Sequence, residues 1–322
     1  MEKEAINLFL DSNIWLDLYH FSSNDLEEFS KLKDAINEKI ILYIPDQVVD
    51  EINRNRDSKI LDAYKKFHDF KIEIPNFCKG YSEYNSFMAI YDNIVRIHQE
   101  LVKKVKEDIA VRNLPADKII YEISQLSNRI ADIPDIIGKA ELRYKRGNPP
   151  GKNNSLGDAI NWETLLEVVP NNQDLFFVSG DKDFKNQFTN EINSYLKYEW
   201  ETIKNSKIFF YPSLVSFFNE HQKDIRLMTE DEKETLINSL SLSGTFRNTH
   251  EIIRSLNNYE YFTDEQMNKL LDIAAENNQV RSIIRDPDIW LFYRSIIKGR
   301  EDKIEINEDN SKILKKLEII TE

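Results

Sequence analysis

The stretch NLFLDSNIWLDLYH, Asn7 to His20, decides how the rest of the chain reads. Residues 6–10 (INLFL) are a short apolar run of the kind a fully buried strand requires. The run stops at Asp11, followed by Ser12 and Asn13, and from Ile14 to Phe21 the pattern turns helical. A carboxylate at the tip of a buried strand costs free energy unless something pairs with it. The partner of Asp11 has to come from elsewhere in the chain.

Working outward, residues 40–44 (IILYI) read as a second buried strand. Pro45 and Asp46 then open a helix, with Pro tolerated in the first turn and Asp46 as its cap. Residues 71–74 (KIEI) read as a short edge strand, 175–178 (LFFV) as a third buried strand, and 207–211 (KIFFY) as a fourth. Buried strands alternating with helices predict βαβ units and an α/β fold with a parallel central sheet flanked by helices. Between 82 and 132 long helices take over. Phe87, Ile90, Ile94, Ile97, Leu101, Val105 and Ile109 recur at three or four, and past Pro115 so do Ile119, Ile123, Leu126 and Ile130. This reads as an inserted helical hairpin whose stripes pack in the core. Residues 221–322 read as a separate helical region. Its signals are a capping box at Thr263–Gln266 and an apolar helix within 289–299.

In an open parallel sheet, ligands sit at the carboxyl ends of the strands, near the point where strand order reverses. Four acids map to that edge: Asp11 after the first strand, Glu51 on the helix after the second, Asp158 opening the helix before LFFV, and Asp181 just past it. Asp183 lies two residues on. Clustered carboxylates repel one another and persist as anions mainly around a cation. An all-oxygen set without His or Cys points to Mg²⁺ or Mn²⁺. Asp50 lies about 100° around the helix from Glu51, and Glu51 is preferred. Asp17 reads as solvent-facing. The five histidines (20, 68, 98, 221, 250) are scattered without ligand spacing.

The order FLDSNIWLDL, IPDQVVDEINRN, GDAINW, FFVSGDKDF resembles the PIN domain, a metal-dependent nuclease fold, over about residues 5–218. By that resemblance Asp11, Glu51, Asp158 and Asp181 take the places of the family's four acids, and Asp183 that of an additional acid some members carry. Ser12 and Asn13 match the small polar residues that support the first acid, and Ser179 opens the Ser/Thr-x-Asp turn of the fourth. The resemblance implies a nuclease domain over 1–220, interrupted by a helical insertion at about 82–140, and a helical region over 221–322. It also implies hydrolysis of phosphodiesters, RNA being preferred and DNA possible, by water activated at metal ions held by Asp11, Asp158 and Asp181. Glu51 would ligate a second ion or orient the water, and the products would carry 5′-phosphate and 3′-hydroxyl. GNPPGKNNSLGDAINW and the helical appendage are similar to larger bacterial PIN-like chains, which fits a defence or toxin-type effector.

RYKRGNPPGK places Arg143, Lys145, Arg146 and Lys152 close together without an acid, in what reads as a Pro/Gly-rich loop upstream of Asp158. Such residues supply phosphate contacts. The net charge of −13 argues mildly against a general nucleic-acid binder, although a nuclease spends carboxylates on its ions. A composition that is 41% hydrophobic and 31% charged fits an ordered globule. The single cysteine, Cys78, excludes a disulfide framework and a thiolate cluster. With no secretory signal and no membrane-length apolar run, the reading is a cytoplasmic protein that contacts no membrane. The helical region 221–322 is the expected site of oligomer or protein contacts. Two other readings stand beside the nuclease. A haloacid-dehalogenase-like phosphatase would need a second Asp where Asn13 stands. A catalytically inactive PIN-like scaffold would usually have lost some of the acids.

Overall fold

The computed structural model describes residues 5–320 apart from 37, 70, 73, 132, 152–155, 187, 190, 223, 224, 226 and 260. Along the chain run β1 (Ile6–Leu10), α1 (Ser12–Asp17), α2 (Ser23–Ser30), α3 (Leu32–Ala35), β2 (Ile40–Pro45), α4 (Asp46–His68) and α5 (Tyr84–Ala110). Then follow α6 (Pro115–Leu126), β3 (Asn128–Ile130), α7 (Pro134–Arg146), α8 (Leu156–Val168), β4 (Leu175–Val178), α9 (Ser194–Lys204), β5 (Ile208–Tyr211) and α10 (Leu214–His221). Six more helices complete it: α11 (Met228–Ser241), α12 (Phe246–Leu256), α13 (Asp264–Glu276), α14 (Asn278–Ile283), α15 (Pro287–Ile297) and α16 (Glu308–Lys316).

The five strands pair in the order β3-β2-β1-β4-β5, all parallel. The chain builds outward from β1 to β2 and β3, then returns to place β4 and β5 on the other side, so the order reverses between β1 and β4. That α/β architecture is the one expected from the sequence. Two details differ. The described residues of 71–74 are not a strand. The remaining strand is Asn128–Ile130, whose Ile130 had been placed on a helical stripe. Ile130 stands four residues from Leu126 and mimics helical spacing, yet α6 ends at Leu126 and Asn128–Ile130 pair with Tyr43–Pro45.

Most buried apolar side chains fall into two clusters. One surrounds the sheet, from Leu8 to Leu227, with Trp15, Trp162 and Trp200 fully enclosed. The other lies among the helices from Ile237 to Leu317. The inserted helix α5 belongs to neither. No residue of it is buried, and Phe87, Ile90, Ile94, Ile97 and Leu101 are exposed, so the expectation that this stripe packs in the core is overturned. Spacing reports which residues share a helix face, not what covers that face.

α6 is tied down by charge. Arg56 of α4 donates from Nε and Nη2 to the two oxygens of Asp117, each at 2.7 Å, and the Tyr19 hydroxyl donates to Oδ1 at 2.7 Å. Arg56 and Asp117 side chains are both nearly inaccessible. Removing one partner of a buried pair leaves the other charge uncompensated. Asp117→Ala should cost about 3–5 kcal/mol, read as a lowered midpoint in urea unfolding. An unchanged midpoint would show that the pair carries no net stability.

Candidate active site

The sheet register sets the first contact. Leu10 pairs with Val178, so the residues that follow, Asp11 and Ser179, emerge side by side at the reversal point. The Asp11 N–H donates to the Val178 carbonyl at 3.0 Å, and the Ser179 N–H to the Tyr211 carbonyl at 3.0 Å. Asp11 then caps α1. Its Oδ1 accepts from the Ser12 N–H at 2.7 Å, and its Oδ2 from the Ser179 hydroxyl at 2.6 Å. The same Ser179 oxygen accepts the Asp181 N–H at 3.0 Å, and Asp181 Oδ1 accepts the Asp183 N–H at 2.8 Å. Ser12 therefore contacts the acid through its backbone. Asn13 is exposed and lines a neighbouring cavity instead. No helix follows Asp183 directly, so it is a turn residue and not a cap.

α4 leaves the same sheet edge, and Glu51 stands between one and two turns into it, half-buried, with Oε1 accepting from Gln47 Nε2 at 2.6 Å. The first turn of α8 closes against this pair. A Cβ on Gly157 would fall 2.1 Å from Glu51 Oε1 and 2.6 Å from Gln47 Nε2, so only glycine fits there without displacing Glu51. Asp158 follows in that turn, half-buried. Asp46 is not a side-chain cap. Its Oδ1 accepts from Arg129 Nε at 2.6 Å across the edge strand.

Burial pushes the Asp11 carboxyl up to about 7. The negative charges of Asp181 and Glu51 add to the rise, and the Ser179 hydrogen bond opposes it. Burial also raises Asp181, with Asp183 and Glu305 adding negative charge. Asp11, Glu51 and Asp181 thus share one electrostatic site, and Asp158 opens the helix that abuts Glu51. Among the described residues, no three His, Cys, Asp or Glu side chains stand at the spacing of a closed metal site. The donor set nevertheless suits a hard divalent cation. It is all oxygen, and Asp11 is a buried carboxylate whose neighbours are negative.

The helical region contributes to the same edge, which the sequence did not reveal. Glu265 of α13 lies beside Gly180, 3.5 Å from where a Cβ would be. Burial pushes its carboxyl up to about 8, with Glu234 adding to the rise and Lys185 and Lys269 opposing it. Lys182, on the turn between Asp181 and Asp183, reaches Glu305 at 2.7 Å. Between these elements is a cavity of about 140 Å³ with Asn13, Asp17, Lys59, Gly180 and Glu265 on its wall. Asp17, expected in solvent, pairs with Lys59 at 2.9 Å and accepts from the Tyr261 hydroxyl at 3.3 Å. His20 stacks on the Tyr261 ring with centroids 3.4 Å apart, and burial pushes its pKa down to about 3.

Of the basic group, Arg143 faces inward. Its guanidinium donates to Glu163 at 2.7 Å, to Glu199 at 2.6 Å and to the Pro149 carbonyl at 2.7 Å. Arg143 to Arg146 form the last turn of α7 and are not in a loop. Lys145 and Arg146 are exposed, with Lys145 3.1 Å from Glu141. Lys152 lies outside the described residues.

A family model described as PIN domain matches residues 8–184, more than half of the chain. The chain belongs to the PIN domain family. No curated protein matches the chain, and no solved structure does. The PIN match spans Asp11, Glu51, Asp158, Asp181 and Asp183, and stops short of β5 and the helical region. PIN domains are generally nucleases that act on nucleic acids with divalent metals, so the family places this chain coarsely among nucleases. Among the described residues no helix is long and apolar enough to cross a membrane.

The raised Asp11 pKa has a stability consequence. The folded protein binds the proton more tightly than the unfolded chain, whose carboxyl titrates at the model-peptide value of 3.8. Stability drawn from the protonated form is present below pH 4 and is lost as pH rises towards 7. In the metal-free protein, Asp11→Asn should therefore raise the melting temperature at pH 8 and change it little at pH 4. Mn²⁺ should raise the wild-type value at pH 8 and leave the variant unmoved. A variant that melts lower than wild type at pH 8 would contradict the assignment.

Proposed function

We propose that this protein is a metal-dependent endonuclease that hydrolyses phosphodiesters, with RNA as its preferred substrate and Mg²⁺ or Mn²⁺ as its cofactor. The observation that carries the reading is the convergence of Asp11, Glu51 and Asp181 at the reversal point of a PIN-family sheet, with Asp11 buried among negative neighbours.

In this reading Asp11, Asp158 and Asp181 hold the ion and Asp183 adds a further oxygen. Glu51 holds a second ion or orients the attacking water. A bound divalent cation supplies Lewis acidity, drawing charge from the scissile phosphate and lowering the pKa of water. The chain itself does the positioning. Ser179 fixes one oxygen of Asp11 and the backbone of Asp181 with a single hydroxyl. The Ser12 N–H fixes the other Asp11 oxygen, so the carboxylate plane is set before substrate arrives. Gly157 leaves the room in which Glu51 sits. Attack by water in line with the leaving group needs no protein nucleophile. Exposed on the last turn of α7, Arg146 and Lys145, the latter paired with Glu141, would meet a phosphate backbone, and Arg143 supports that turn from inside. The helical appendage suits a defence or effector nuclease better than a compact toxin.

Activity on generic RNA and single-stranded DNA with Mn²⁺ or Mg²⁺ tests the assignment. Asp11→Asn and Asp181→Asn should each lower the rate by about 100-fold or more with the fold intact. Wild type and variants equally inert on both nucleic acids, with no metal binding by calorimetry, would sink the nuclease reading. Phosphate release from small phosphomonoesters with a trapped adduct on Asp11 would favour the phosphatase.

Gly157→Ala should lose activity because its methyl group displaces Glu51, while the melting temperature stays close to wild type. Lys145→Glu with Arg146→Glu should weaken RNA binding across sequences and flatten its salt dependence by about one to two counterions. Arg143→Ala should instead lower stability, since it strands Glu163 and Glu199.

A further inference from the structure

The largest feature that the nuclease reading leaves unused is the outer face of α5. This 27-residue helix is about 40 Å long. Tyr84, Met88, Tyr91, Val95, His98 and Val102 form one stripe, half-buried on the molecule's side. His98 Nε2 lies 2.6 Å from the Phe67 carbonyl oxygen, which marks that stripe as the docked one. Phe87, Ile90, Ile94, Ile97 and Leu101 form a second stripe about a quarter-turn away, and each is between 43% and 62% exposed. An isolated exposed aliphatic needs no explanation, but five in an unbroken 3-4-3-4 spacing do. Together they expose on the order of 500 Å², the size of the largest apolar patch on a typical monomer, a patch that is often functional.

The same spacing continues at both ends onto charges, Glu83 before Phe87 and Lys104 after Leu101. One end of the stripe is therefore an anion and the other a cation. If two copies of the face meet antiparallel about Ile94, Ile94 meets itself, Phe87 falls beside Leu101, Ile90 beside Ile97, and Glu83 beside Lys104 at each end. A parallel pairing would set Glu83 against Glu83 and Lys104 against Lys104. The helix is also neutral overall: Arg96, Lys103, Lys104 and Lys106 balance Asp92, Glu100, Glu107 and Asp108. On a chain of net charge −13, such a face is where a second copy meets least repulsion. A neutral apolar strip offers nothing to a phosphate backbone. A pair of such faces buries on the order of 1,000 Å², the low end of what a specific interface needs.

We infer that the outer face of α5 is a self-association surface on which a second copy of this chain docks antiparallel about a twofold axis at Ile94. The inference is independent of the activity. The interface is isologous, so each contact off the axis occurs twice and a single substitution alters both copies.

Analytical ultracentrifugation of the full chain at micromolar concentrations tests it. The expected particle is close to twice the 38.1 kDa of one chain. Ile94→Glu puts two carboxylates at the axis and should raise the dimer dissociation constant by about 100-fold or more. Circular dichroism should be unchanged, because that side chain is half-exposed in the monomer. Glu83→Lys and Lys104→Glu should each weaken the dimer by about tenfold, and the combined variant should recover it. A monomer at every concentration, or a dimer indifferent to Ile94→Glu, overturns the proposal and leaves the face to a different partner. A combined variant no tighter than the single ones overturns the antiparallel arrangement.

Discussion

One carboxylate organises the rest of this fold. Asp11 sits where β1 ends, and the parallel register of β1 on β4 sets Ser179 beside it. The hydroxyl of Ser179 and the N–H of Ser12 hold its two oxygens. Two hydrogen bonds do not offset the loss of water around a buried carboxylate with Asp181 and Glu51 nearby, and its pKa rises. The fold thus keeps a site that is unfavourable in itself at the sheet's reversal point. A protein carries such a feature where the strain is part of its use.

Around that carboxylate the two halves of the chain are coupled through polar contacts. Lys59 of α4 pairs with Asp17 of α1, and Tyr261, from the helical half, donates to Asp17 and stacks on His20. Arg300 lies over the Tyr261 ring and pairs with Asp264. Most of these groups are too enclosed to be ordinary surface charges. Each is held by an opposite charge or an aromatic face, as enclosed polar groups must be. The helical region is therefore bound to the PIN domain at the same edge that carries the acids.

Much of this was legible in the sequence. β1, β2, β4 and β5 are apolar runs cut off by Asp, Pro or Ser, and helical spacing between them implies parallel pairing. The four acids stand out because each follows or precedes such a run. β3 was hidden because Asn128-Arg129-Ile130 has a single apolar residue, and edge pairing with Tyr43–Pro45 makes it a strand. Arg143 read as a surface cation because its acceptors, Glu163 and Glu199, come from distant helices. The α5 stripe shows a further limit. A buried stripe and an exposed one have the same periodicity, and only the structure shows which face meets α4. Glu265 was visible as part of a capping box, but nothing local tied it to Gly180.

The Lys182–Glu305 ion pair bears on the order in which this site is made. Lys182 stands on the turn that carries Asp181 and Asp183, while Glu305 lies between α15 and α16 in the helical region. During synthesis the sheet can close once β5 has emerged, because all five strands precede residue 212. The carboxylates are then already gathered, yet the wall with Glu265 and the clamp on Lys182 still await the helical region that follows β5. The acid edge thus passes through an early form, open on one side, and reaches its enclosed form only after Glu305 has been made. A site that assembles in two steps has its timing written into the distance between those two residues.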